Sequence, residues 1–130
     1  MKIISFAETT PALLAGAKCA TRRDWAERHA RSFHAGELVQ AWDKTPRVKG
    51  AHRVGTVRLT VTPYREASNE IPDADWEAEG FAYMEAHALT LFGGATPREV
   101  WTDWKTRPRL LWVVRFDLVA VIKDGEWVRP

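Results

Sequence analysis

The chain has 130 residues, of which 45% are hydrophobic and 28% charged, and its net charge is +2. That size points to one domain, residues 1–130, able to bury its own core, and the absence of an apolar run of about 18 residues argues against a membrane span. A single cysteine, Cys19, excludes an internal disulfide; with too little apolar sequence at the start for a signal peptide, a cytoplasmic protein is expected.

Lys2–Phe6 reads as a first strand. Thr10-Pro11 opens a helix, with threonine as its cap and proline in the first turn, and Gly16 ends it. Cys19–Arg23 fits a strand or an extended turn, and Asp24-x-x-Glu27 a capping box for a helix through about Ser32. After a turn at Gly36, Glu37–Trp42 alternates as a half-buried strand does. Asp43–Arg53 is a basic loop, and Val54–Thr62 is a clear strand with Val57, Leu59 and Val61 on one face.

Pro63–Ile71 is polar and reads as a connection. An acidic helical stretch begins at Pro72. Gly80 separates it from a second one carrying Phe81, Met84, Ala88 and Leu91 at helical spacing. Thr96-Pro97-Arg98-Glu99 is a helix start with a capping pair, and Val100, Trp101 and Trp104 form the apolar face behind it. Leu110–Ile122 is the most apolar run and predicts a long central strand, followed by a turn at Asp124-Gly125 and a short tail or strand. Strands and helices mix without a βαβ rhythm, so the predicted class is α+β, a small, mostly antiparallel barrel with peripheral helices.

Charge is uneven along the chain. Residues 1–65 hold 12 Lys/Arg and 5 Asp/Glu, whereas residues 66–130 hold 7 and 12. A basic half suits an anionic partner such as nucleic acid, although attraction between the two halves accounts for it equally well. Within the basic half, Gly16–Arg23 concentrates chemistry. Lys18 can hold phosphate, or act as a base if burial lowers its pKa. Thr21 can be a nucleophile beside a base, and Arg23 offers a fork for an oxyanion. On a regular strand Thr21 and Arg23 share a face and Lys18 does not, so Lys18 and Thr21 converge only across a bulge or turn.

Read as Gly-x-Lys-x-x-Thr-x-Arg, the segment resembles the signature of the ASCH family, within the PUA-like β-barrel group. The likeness in arrangement extends from the first strand to Glu79-Gly80-Phe81 and the Trp-Val-Val-Arg-Phe strand near the end. The resemblance implies a PUA-like barrel linked to RNA. Small members are amidohydrolases that remove acetyl from acetylcytidine, and another group is associated with ribonuclease activity. By that resemblance Lys18 is the general base, Thr21 the nucleophile and Glu79 the acidic partner, with Glu77 two residues away as its rival. Gly16 and Arg23 of the motif are candidate substrate-binding residues, joined on position by Trp25, two residues past the motif, and Trp42, at a strand end before the basic loop. A non-catalytic RNA-binding module, or a ribonuclease using the same pocket, is the alternative function.

Seven tryptophans are many for this length, and each is a core residue more often than a stacking platform. In the basic loop, Arg47, Lys49 and Arg53 are candidates for a nucleic-acid backbone. His29, His34, His52 and His87 show no metal-ligand spacing with one another or with Cys19, so no metal or other cofactor is predicted. The anticipated partner is a nucleoside or RNA, with no membrane and no obligate protein partner.

Overall fold

A computed structural model describes residues 1–130. Seven strands and five helices follow one another as β1 (Ile3–Ser5), α1 (Thr10–Leu14), β2 (Ala20–Arg23), α2 (Glu27–Ala30), β3 (Leu38–Trp42), β4 (Arg53–Leu59), β5 (Tyr64–Ala67), α3 (Asp75–Ala78), α4 (Phe81–Ala86), α5 (Pro97–Thr106), β6 (Leu110–Lys123) and β7 (Glu126–Val128). The strands form one sheet in the order β1-β3-β4-β6-β2, with β5 and β7 also paired to β6. Only β1 and β3 run parallel. The sheet curls into a half-barrel, so the protein is an α+β fold rich in antiparallel strands.

The apolar run of β6 explains its central role. Its first half pairs with β2 and β5, its second half with β4 and β7. Side chains on β6 alternate between two faces. Val114 and Phe116 join Ile4, Phe6, Phe33, Val39 and Val57 in the core inside the curl. Leu111 faces the other way and joins Phe81, Met84, Leu91 and Trp104 in a second core under the helices. A bulge between Thr56 and Val57 helps to bend the sheet between β4 and β6.

Several sequence expectations need correction. Thr10 does not cap α1; Thr9 occupies the cap position, and the Thr10 hydroxyl donates to the Ala7 carbonyl at 2.7 Å. Asp24 does not cap α2, which starts only at Glu27, because Ala26 is still extended. That extension lets Trp25 stack on Phe33, with ring centres 4.8 Å apart. The polar segment Pro63–Ile71 contains β5, whose polarity reflects ion pairing rather than a loop. Helix α4 stops at Ala86, not at Leu91. Ala88 takes φ +54°, and the Leu89 and Ala88 amides donate to the Met84 and Glu85 carbonyls, a Schellman turn built without glycine. The capping box at Thr96 and Glu99 forms as predicted.

Candidate functional site

Gly16 makes the local geometry of the signature segment possible. It ends α1 at φ +73°, with the Gly16 and Ala17 amides donating to the Leu13 and Ala12 carbonyls. The chain then crosses to the helical layer, where the Cys19 amide donates to the Ala78 carbonyl at 2.8 Å, before it enters β2. Lys18 thus lies in a bend ahead of the strand and is not bound by strand alternation. The bend turns Lys18 toward Glu79, and no hydrogen bond joins Lys18 to Thr21.

Lys18 is 3% exposed. Its Nζ donates to the Glu79 carbonyl at 2.8 Å and faces Glu79 Oε1 at 3.4 Å. Gly80 permits this closeness. At φ +85° it turns the chain from α3 into α4, and a side chain there would meet Ala12 Cβ at 2.8 Å and Lys18 Cβ at 3.1 Å. Burial pushes the Lys18 ammonium below its ordinary value; Glu79 pulls it back, and Arg23 and Arg22 add to the depression. Glu79 itself is 2% exposed, whereas Glu77 points to solvent, so burial distinguishes the two carboxylates.

On β2, the residues alternate as the period predicts. Thr21 and Arg23 stand opposite Val114 and Trp112 on one face, and Arg22 stands opposite Val113 on the other. Arg23 Nε donates to Thr21 Oγ1 at 3.0 Å, and its Nη2 donates to the Ser5 carbonyl at 2.6 Å, linking β2 to β1. Burial lowers the Arg23 pKa to about 10, with Glu79 opposing, so the group stays charged at neutral pH.

The far face of β2 holds a buried ionic network that the sequence alone did not assemble. Arg22 Nη1 donates to Glu79 Oε2 at 2.8 Å, and its Nη2 to Asp75 Oδ2 at 2.6 Å and Glu66 Oε1 at 2.7 Å. Arg115 forks onto Asp75 at 2.7 and 3.2 Å and donates from Nε to the Tyr64 hydroxyl at 3.0 Å. Strand pairing explains the convergence. Tyr64, Glu66, Arg22 and Arg115 lie on neighbouring strands with side chains on one sheet face. A visible signal was Arg115 in the apolar first half of β6, where a partly buried guanidinium calls for a carboxylate partner.

Lys18, Thr21, Arg22, Arg23 and Glu79 line one cavity of about 220 Å³. It lies where the two cores meet: Phe6 comes from the first, and Phe81, Leu91 and Trp104 from the second. Ser5, Ala7, Thr9, Thr45, Val100 and Phe92 complete the wall, and Phe92 remains 70% exposed at its edge.

The other candidate residues lie elsewhere. Gly16 shapes the turn but does not line the cavity. Trp25 is packed on Phe33 and His29. Trp42 Nε1 donates to Gln40 Oε1 at 2.9 Å, and Trp42 is outside the lining. Arg47 and Lys49 are exposed on the loop after β3. Arg53 belongs to β4, where it covers Trp127 at 4.5 Å and donates to Thr56 Oγ1 at 3.0 Å. No group of His, Cys, Asp and Glu has the geometry to hold a metal ion, and no helix is long and apolar enough to cross a membrane.

No protein-family model matches the chain, and no curated protein matches it. Among solved structures, it is similar to protein EF3133 from Enterococcus faecalis V583, described under the family model DUF984. The two share 13% identity and a TM-score of 0.53, over 91% of this chain and 79% of that one. A likeness at this identity extends to the fold alone.

Proposed function

We propose that this half-barrel is an ASCH-type, PUA-like domain whose cavity hydrolyses an acyl amide on a modified nucleobase such as acetylcytidine. Thr21 attacks the acyl carbon through Oγ1, and Lys18 Nζ takes the hydroxyl proton. The tetrahedral intermediate collapses, the C–N bond breaks, and the leaving amine takes that proton back. A water then attacks the Thr21 ester with Lys18 again as base, releasing the carboxylic acid and restoring the hydroxyl. Arg23 Nε, already on Thr21 Oγ1, favours the developing negative charge on that oxygen. Glu79 orients Lys18 and carries protons for it.

The observation that carries this reading is the seating of Lys18. A neutral amine has two N–H donors and one lone pair. The carbonyl and carboxylate oxygens of Glu79 are placed to take both donors, which leaves the lone pair for a third direction. Burial and two neighbouring guanidiniums favour the neutral form. Arg22, anchored by Asp75 and Glu66, holds the opposite oxygen of Glu79 and fixes the carboxylate.

The test is release of cytidine from acetylcytidine by wild type, Thr21→Ser and Thr21→Val. Turnover is expected from wild type, residual turnover from the serine variant and none from the valine variant. Equal rates for wild type and Thr21→Val would remove the nucleophile from the scheme.

A second reading, RNA binding without chemistry, draws on one observation. Lys44, Arg47 and Lys49 are exposed on the loop after β3 and take part in no ion pair, and Thr45 of that loop reaches the cavity wall. On this reading, affinity for single-stranded RNA falls steeply with salt, and neutralising the three cations flattens the dependence. An unchanged slope excludes the loop as the contact.

A further inference from the structure

Of Lys18, Arg22, Arg23 and Arg115, only Arg23 lacks an acidic partner. Arg22 meets three carboxylates, and Arg115 forks onto one of them. Lys18 has Glu79. Arg23 has no carboxylate within ion-pair distance: its Nε meets the Thr21 hydroxyl and its Nη2 the Ser5 carbonyl, both neutral. Its guanidinium carbon lies 5.7 Å from the Phe6 ring centre, which adds an aromatic face but no charge. Its remaining nitrogen, Nη1, has no hydrogen-bond partner in the protein, and Arg23 lines the cavity.

A partly buried guanidinium with only neutral partners is a preorganised seat for an oxyanion, because the fork geometry suits carboxylate and phosphate and the local dielectric strengthens the attraction. The wall beyond it is apolar and aromatic, with Phe81, Leu91, Phe92 and Trp104. We infer that the cavity takes a ligand with an anionic oxygen group, carboxylate or phosphate, seated on Arg23, and an aromatic or apolar body against that wall. The inference rests on the reading of this cavity as the substrate site and narrows it. An acylated nucleobase would be taken as a phosphate-bearing nucleotide or from a phosphodiester chain, in preference to the uncharged nucleoside. A substrate outside the nucleic acids would be an amide bearing a carboxylate.

Three compounds of similar size separate the possibilities: benzoate, phenyl phosphate and the uncharged benzamide. Their dissociation constants at pH 7 are read from amide chemical shifts of cavity residues in wild type and Arg23→Gln, with Arg23→Lys as the variant that keeps the charge. At least one anion should bind about tenfold more tightly than benzamide. That preference should disappear in Arg23→Gln and persist in part in Arg23→Lys. Whichever anion leads identifies the oxyacid. Benzamide binding as well as both anions, a preference that survives in Arg23→Gln, or no binding of any compound at millimolar concentration would each overturn it. Because no turnover is measured, a protein inert toward acetylcytidine that still shows the anion preference would sink the hydrolase reading and leave this one standing.

Discussion

Replacing Gly80 by alanine tests the packing that presses Glu79 and Lys18 together. Two costs arise. Gly80 sits at φ +85°, a left-handed conformation that costs an alanine roughly 1–2 kcal/mol, less about 0.4–1 kcal/mol regained because alanine restricts the unfolded chain. The added methyl would also stand 2.8 Å from Ala12 Cβ and 3.1 Å from Lys18 Cβ, and overpacking of this kind typically costs about 1–3 kcal/mol. The sum is about 1–4.6 kcal/mol, set against the roughly 5–15 kcal/mol that holds a domain folded. Gly94 supplies the control. It has φ +84° and nothing within 4 Å of where a Cβ would stand, so Gly94→Ala carries only the conformational cost, about 0–1.6 kcal/mol. Urea unfolding at neutral pH measures both. A Gly80→Ala loss no larger than that of Gly94→Ala would refute the argument that Gly80 is needed for the approach of Lys18 to Glu79.

Two further outcomes follow from the ionic network. Arg22→Met leaves Glu79, Asp75 and Glu66 without their shared cation, and urea unfolding should show a loss of about 3–5 kcal/mol, well above that of a surface Arg47→Met change. Asp75 is held below its ordinary 3.8: burial alone would raise it, but hydrogen bonds from Arg115 and Arg22 prevail. A depressed carboxyl stabilises the fold above its unfolded value and loses that contribution as pH falls through its folded one. Stability should therefore decline as the pH drops below about 4, and the decline should be shallower in Asp75→Asn; an identical acid limb in both would contradict the network's role.

Much of the fold was legible in the sequence because its strands and helix starts carry local signals. The alternation of Glu37–Trp42, the apolar run of β6 and the Thr96–Glu99 capping pair all lead to the elements observed. Strand β5 was illegible because Tyr64 and Glu66 are polar for a non-local reason: they face Arg115 and Arg22 across the sheet. The end of α4 was hidden in the same way, since nothing in Ala88 announces a left-handed residue. At the site, the spacing of Lys18, Thr21 and Arg23 marked a segment that lines the cavity. It did not show that the bend after Gly16 brings Lys18 to the cavity wall that Thr21 also lines. Nor could spacing select Glu79 over Glu77, a choice made by the direction of the chain at Gly80. Trp25 and Trp42 drew attention by position, yet their neighbours Phe33 and Gln40 hold them away from the cavity.

The central claim is that Lys18 is the base of the cavity that Thr21 also lines. Titration of its side chain, followed by NMR of the Lys18 Nζ and Cε signals and assigned with Lys18→Met, tests this without needing a substrate. The expected midpoint lies clearly below the ordinary value of 10.5, and it falls further in Glu79→Gln, which keeps the bulk but removes the carboxylate's pull. A wild-type midpoint at or above 10.5 would contradict the claim, because the amine would then stay protonated and could not accept the Thr21 proton.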